Sequence, residues 1–213
     1  MFDRIAPVYD AMNRVMTVGL DIRWRRLAAA AAVRPGDRVL DAACGTGDLA
    51  VADARAGAAG VVGLDFSGAM LARARRKAPE LEWVQGDLLK MPFEEGSFDA
   101  VTIGFGIRNV SELERALREL RRVLRHGGRL AILEITRPRG PLRPFYSLWF
   151  DRIVPLLGRL LPGGEAYTYL PASVKRFPPA EELAEMMRAA GFEDVQFRRL
   201  GGSIVALHVG VAA

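Results

Sequence analysis

Cysteine is nearly absent from these 213 residues: Cys44 stands alone. A lone thiol excludes an internal disulfide and suits a reducing compartment such as the cytoplasm. No apolar run approaches the roughly 18 residues that a membrane-spanning helix needs. Met1-Phe-Asp-Arg-Ile-Ala-Pro carries no apolar h-region, so no secretory signal is expected. Lysine occurs only at Lys77, Lys90 and Lys175, so the net charge of +5 is carried almost wholly by arginine. The arginines are scattered through helix-like segments. They are not gathered with aromatics as on a single-strand binding platform, so no nucleic-acid partner is expected and most read as a solvated surface. Repeats, linkers and low-complexity tracts are also missing, and residues 1–213 are expected to form one domain.

What is present centres on Arg38-Val39-Leu40-Asp41-Ala42-Ala43-Cys44-Gly45-Thr46-Gly47-Asp48. An apolar strand ends in an acidic residue, a two-glycine turn follows, and a helical pattern begins. That is a nucleotide-binding device. Gly45 and Gly47 let the backbone turn sharply and let a ligand approach it. Gly45-Thr-Gly-Asp-Leu-Ala50 also fits a dinucleotide fingerprint, with Asp65 at the distance expected for a ribose hydroxyl. Asp41 separates the two readings. A pyrophosphate on this turn would face its negative charge. A ligand bearing an ammonium and a sulfonium would be attracted to it, by several kcal/mol at roughly 4 Å and an effective dielectric of about 20. S-adenosylmethionine is such a ligand. The plain alternative is a strand-to-helix turn with a capping Asp.

Residues 1–32 read as a flap of two short helices broken near Thr17–Gly19. Tyr9, Asn13 and Trp24 could cover a substrate pocket there, or the flap could simply pack on the sheet. Strands are expected at 38–43, 61–65, 81–85, 98–103 and 130–135, and helices at 46–57, 68–77 and 111–124. Ser67 is placed to cap the second helix. Ser111 with Glu114 forms a capping box for the third, which Gly127 and Gly128 should end. Five strands alternating with helices imply a doubly wound parallel α/β sheet, with ligands beyond the strands' carboxyl ends. Asp41, Asp65 and Asp87 all fall there. Asp65 is placed for both ribose hydroxyls and Asp87 for an adenine amino group. Leu64, Phe66, Met70 and Leu88 could enclose the adenine, or could be core.

After Ile135 the alternation stops. Residues 137–179 form an insertion expected on the substrate side. It contains a very apolar segment, 145–161, broken by Pro155 and carrying Arg152 and Arg159 on one face. An aromatic loop with Tyr167 and Tyr169 follows. A helix over 180–190 should end at Gly191. Two last strands, 195–199 and 204–211, flank Gly201-Gly202 as a hairpin, which makes the final strand antiparallel. His208 in that strand is either a base or a core histidine.

Asp41-x-x-x-Gly45-x-Gly47, Asp65, Asp87 and Phe98-Asp99-Ala100 together resemble the seven-stranded, Rossmann-like class I methyltransferases that use S-adenosylmethionine. Four further blocks are similar to the quinone-biosynthesis C-methyltransferase family, which methylates demethylmenaquinol and, in some members, a ubiquinol precursor. They are Tyr9-Asp-x-Met-Asn13…Gly19…Trp24, Gly104-Phe-Gly-Ile-Arg108-Asn109-Val, Arg122 through Glu134, and Tyr167-x-Tyr169-Leu-x-x-Ser173. His126, Thr136 and Asp21 depart from the family's usual residues, Asp21 within the flap. The resemblance implies cofactor contacts at Thr46, Asp65, Asp87, Leu88 and Gly104, with Arg108 and Asn109 beside the transferred methyl. The substrate would then be a prenylated quinol, met by Tyr9, Asn13 and Tyr169, with segment 145–161 lining a channel or touching the inner membrane face. A homodimer is compatible with the sequence, which does not set the oligomeric state. The competing classes are a methyltransferase for a soluble small molecule, an NAD-binding oxidoreductase, and a cofactor-binding sensor without catalysis.

Overall fold

The computed structural model describes residues 9–137 and 172–213, apart from the side chains of residues 9, 11 and 12. Two helices, α1 (Tyr9–Thr17) and α2 (Leu20–Ala32), precede the sheet. The chain reverses between them at Val18 and Gly19, both at positive φ. Then come β1 (Arg38–Ala42), α3 (Asp48–Arg55), β2 (Gly60–Asp65), α4 (Gly68–Lys77), β3 (Glu82–Gln85), β4 (Phe98–Gly104), a 3-10 turn (Ile107–Asn109), α5 (Leu113–Val123) and β5 (Leu124–Ile135). After the insertion come α6 (Ala180–Ala189), β6 (Phe192–Leu200) and β7 (Val205–Ala212).

The seven strands run in the order β3-β2-β1-β4-β5-β7-β6. Strands β1 to β5 pair in parallel, and β7 is antiparallel to both its neighbours. The expected doubly wound sheet with a reversed last strand is therefore present. Its two faces are read off adjacent residues, because side chains alternate across a strand. Leu40, Val62, Val101 and Ile132 bury one face against α5 and α6. Val39, Val61, Ala100 and Ala131 bury the other against α2 and α3, with Trp24 and Ala28. Trp24 is thus core, packed where a side chain at Gly201 would lie 2.5 Å away, and among the described residues it does not line the cavity at the strands' carboxyl ends.

Two local expectations fail for identifiable reasons. No capping box forms at Ser111. The 3-10 turn runs out through Val110 in extended backbone, so α5 starts only at Leu113, with Glu112 at the cap position and no side-chain cap bond. Glu112 pairs with Arg115 instead. Gly127 and Gly128 do not end that helix either. It stops at Val123, and β5 begins at once. Between the pairs Phe98–Leu124 and Ala100–Arg129 the ladder slips, and the glycines form this bulge, Gly127 at φ 72°. A β-bulge takes a positive-φ glycine readily, so the same residues serve a strand. Ser67 caps α4 as expected, its hydroxyl accepting the Met70 N–H at 3.1 Å.

Candidate active site

The strand-to-helix turn after β1 is made by backbone that few side chains tolerate. Ala43, Gly45 and Gly47 all have positive φ (54°, 56° and 82°). The turn is fastened from two directions. The Ala50 N–H in the first turn of α3 donates to Asp41 Oδ2 at 2.8 Å. The Gly45 N–H donates to Asp65 Oδ2 at 2.8 Å, and the Ser67 N–H donates to Asp65 Oδ1 at 2.9 Å. Two carboxylates at neighbouring strand ends thereby shape the loop between them, and the helix N-terminus favours negative charge there.

A cavity of about 380 Å³ opens at this end of the sheet. That size suits a small-molecule site. Its walls combine Asp41, Gly45, Thr46, Asp65, Phe66, Asp87, Leu88, Gly104 and Asn109, all expected from the sequence, together with Leu64 and Met70. Phe66 is 62% exposed, a large apolar surface held at the rim and not in the core. Gly47 supports the wall from behind: a Cβ there would lie 2.4 Å from the Trp83 ring. Asn13 lies on α1 and is absent from the lining residues, and Tyr169 falls outside the described residues. For Tyr9 only the helical backbone is described.

Arg108 does not line the cavity; its neighbours Phe105, Gly106 and Asn109 do. The guanidinium turns beneath them. Its Nη1 donates to Glu134 Oε1 at 2.7 Å and to the Phe105 carbonyl. Glu134 is only 1% exposed. Phe105 itself is left-handed, φ 59°, so a strained residue carries the wall, as active sites commonly allow.

Two buried acceptors in the lining have no hydrogen-bond partner among the described residues: Asp41 Oδ1 and Asn109 Oδ1. Such groups normally cost about 1–3 kcal/mol unless something satisfies them. A bound ammonium at Asp41 and a donor hydroxyl at Asn109 would do so. The residues present therefore fit a cationic, adenosine-bearing methyl donor: Asp41 for its ammonium, Asp65 for its ribose, and Phe66 with Leu88 for its base.

Behind Asp41 lies a second carboxylate that the sequence did not disclose. Asp53, on α3, is fully buried, and its Oδ2 accepts the Thr102 hydroxyl at 2.6 Å. Burial pushes the Asp53 carboxyl up to about 8, opposed by the Thr102 bond. Asp41 is also raised, first by burial and then by the charge of Asp53. The pair therefore holds a proton at neutral pH. Between 3.8, the ordinary value, and about 8, folded Asp53 binds a proton that the unfolded chain has released. Stability then falls as pH rises across that window, by up to about 1.4 kcal/mol per pH unit. Asp53→Asn keeps an acceptor for Thr102 and removes this loss. Its melting temperature should match the parent near pH 4 and exceed it at pH 8–9, as read by differential scanning calorimetry across pH. Equal midpoints at pH 9 would contradict the protonated pair.

Cys44 and His208 take no part in the lining chemistry as reactive groups. Burial, then the charges of Asp41 and Asp65, push the Cys44 thiol up, which keeps it un-ionised. His208 is buried in β7, stacked on Phe197, with Nε2 donating to the Ala180 carbonyl at 2.8 Å. Burial lowers its pKa and leaves it a neutral core histidine.

Comparison with known proteins agrees with this geometry. A family model described as "ubiE/COQ5 methyltransferase family" matches residues 1–212. The chain belongs to the ubiE/COQ5 methyltransferase family. A relative from Thermus thermophilus named demethylmenaquinone methyltransferase is 49% identical, with 99% of each chain covered. One of the same name from Deinococcus radiodurans is 45% identical, covering 99% of this chain and 90% of its own. Among solved structures, a SAM-dependent methyltransferase from Thermotoga maritima superposes with TM-score 0.68 at 23% identity, over the full length of both chains. The [4+2]-cyclase SpnF gives 0.69 at 22%, covering 89% of this chain and 80% of its own. These structures share the fold; a cyclase among them shows that the family assignment, and not the sheet, bears on the chemistry.

Proposed function

We propose that this member of the family transfers a methyl group from S-adenosylmethionine to a ring carbon of demethylmenaquinol, giving menaquinol. The observation that carries the reading is Asp41: a fully buried carboxylate at a strand's carboxyl end, one oxygen unsatisfied among the described residues, lining the same cavity as Asp65 and Phe66. When bound, the cofactor supplies an activated methyl on a sulfonium. Asp65, held in place by the Gly45 and Ser67 N–H groups at the end of its strand, accepts the ribose hydroxyls. Asn109 Oδ1 accepts from the quinol hydroxyl next to the reacting carbon. Arg108, paired with Glu134 at 2.7 Å, stabilises the quinolate charge as it forms; a guanidinium is a poor base. The proton leaves to water or to Tyr169. Holding donor and acceptor in line supplies much of the rate.

The apolar segment 145–161 meets the isoprenoid tail, either as a channel wall or at the cytoplasmic membrane surface, with Arg152 and Arg159 near anionic head groups. No helix among the described residues is long and apolar enough to cross a membrane. The test is incubation with labelled S-adenosylmethionine and chemically reduced demethylmenaquinone, followed by mass analysis. A product heavier by one methyl on the naphthoquinol ring is expected. Label appearing only on a soluble acceptor, or on a benzoquinol precursor, would replace the proposed substrate.

A further inference from the structure

One wall of the cavity comes from an element the glycine turn does not explain. Arg25 projects from α2 into the lining beside Asp41, Gly104 and Phe105. An arginine that is 7% exposed and borders a small-molecule cavity is unusual, since arginines stay in water unless paired. Among the described residues Arg25 is hydrogen-bonded along one edge. Nη1 donates to Asp21 Oδ2 at 2.5 Å, with Asp21 itself 1% exposed and its Oδ1 accepting the Thr17 hydroxyl at 2.9 Å. The guanidinium plane lies over the Phe105 ring, 5.2 Å from its centre. Asp21 and Phe105 thus fix the group from two sides. A guanidinium carries five N–H donors in a rigid fork, and the Asp21 bond uses one.

The same cavity wall therefore holds a buried cation with donors to spare and, at Asp41, a buried anion with an oxygen to spare. The Arg25 charge is near enough to act on Asp41 and lower its pKa against the effect of burial. Opposite charges fixed side by side at one end of a cavity match a zwitterion, the free α-amino acid group. The lining also carries apolar surface, at Phe66, Met70 and Leu88, which suits the remainder of such a ligand.

We propose that Arg25 binds the α-carboxylate of the cofactor's methionine portion while Asp41 takes its ammonium. This rests on the cofactor reading above and adds the residue that recognises the acid. A charge-assisted bond from a fixed, desolvated guanidinium is among the stronger polar contacts available.

The experiment is calorimetric titration of the full chain with S-adenosylmethionine and with decarboxylated S-adenosylmethionine, which keeps the ammonium and sulfonium and lacks only the carboxylate. Because Arg25→Gln strands the Asp21 carboxylate, it is measured beside Asp21→Asn/Arg25→Gln, which replaces the ion pair with two neutral amides. Both variants should lose about 10- to 100-fold in affinity for S-adenosylmethionine. Their affinity for the decarboxylated compound should stay within about twofold of the parent, which also reports that the cavity is folded. Arg25→Lys should recover part of the loss. Equal losses for the two ligands, with the parent binding both, overturn the assignment of Arg25 and leave the cofactor reading standing. A parent chain that binds neither ligand overturns both.

Discussion

Arg108→Ala should lower methyl transfer by about 10²- to 10³-fold while S-adenosylhomocysteine binds with unchanged affinity. The split follows from where the guanidinium sits. It is bonded to Glu134 and to the Phe105 carbonyl and is not among the lining residues, so losing it should remove charge stabilisation at the acceptor and leave the cofactor's contacts at Asp41 and Asp65 in place. The substitution also strands Glu134, and an unpaired buried charge costs about 3–5 kcal/mol. Arg108→Met/Glu134→Gln avoids that cost. It should melt close to the parent and remain as slow as the single variant. Glu134→Gln alone retains Arg108 but frees it to move, so turnover should fall by a smaller factor. Steady-state kinetics and calorimetry on the three variants decide the matter. Full turnover in Arg108→Ala would remove the arginine from the mechanism, and a parallel loss of cofactor affinity would place it elsewhere in the site.

The second large effect concerns two glycines that look equivalent. Gly47→Ala should destabilise the fold by about 3 kcal/mol or more and abolish cofactor binding, whereas Gly45→Ala should cost only about 1–2 kcal/mol. Both residues have positive φ, so both substitutions carry left-handed strain. They differ in their surroundings. A Cβ at Gly47 meets the Trp83 ring at 2.4 Å and Ala74 Cβ at 3.3 Å, while a Cβ at Gly45 meets nothing within 4 Å. Trp83 cannot yield, because its indole N–H donates to the Ala78 carbonyl at 3.0 Å and its ring also covers Gly63. Denaturant unfolding of the two variants separates strain from collision. Equal costs would mean that the indole moves aside.

The sheet was legible in the sequence because its signals are local. Buried parallel strands are short apolar runs, and Val61 through Asp65 or Phe98 through Ile103 need no partner to be recognised. The turn was legible for the same reason, since Gly45, Gly47 and the flanking Asp41 and Asp65 fall at fixed spacings. What escaped were features set by contacts between distant residues. Asp53 reads as an ordinary polar position on α3 until Thr102, 49 residues on, is seen to donate to it. Arg25 and Asp21 are spaced i,i+4, a pattern that most often marks a surface ion pair, and nothing in the spacing says that this pair is buried. The start of α5 and the Gly127–Gly128 bulge failed differently. Ser-x-x-Glu and Gly-Gly are true local signals, but a 3-10 turn on one side and strand pairing on the other outweighed them.

The hydroxyl of Thr46 donates to Asp10 Oδ1 at 2.5 Å, and Lys77 joins Asp10 and Asp48 at 2.8 and 2.6 Å. Burial alone would raise the Asp10 carboxyl, yet Lys77 and Thr46 hold it below the usual range, so the anion persists. The helix that begins the described chain is thus tethered to the very loop on which the methyl donor would rest. Swinging that helix outward breaks a bond to the loop, and a donor that recruits the Thr46 hydroxyl loosens the helix. The position of that helix and the state of the glycine turn are in this way mechanically linked through Thr46 and Lys77.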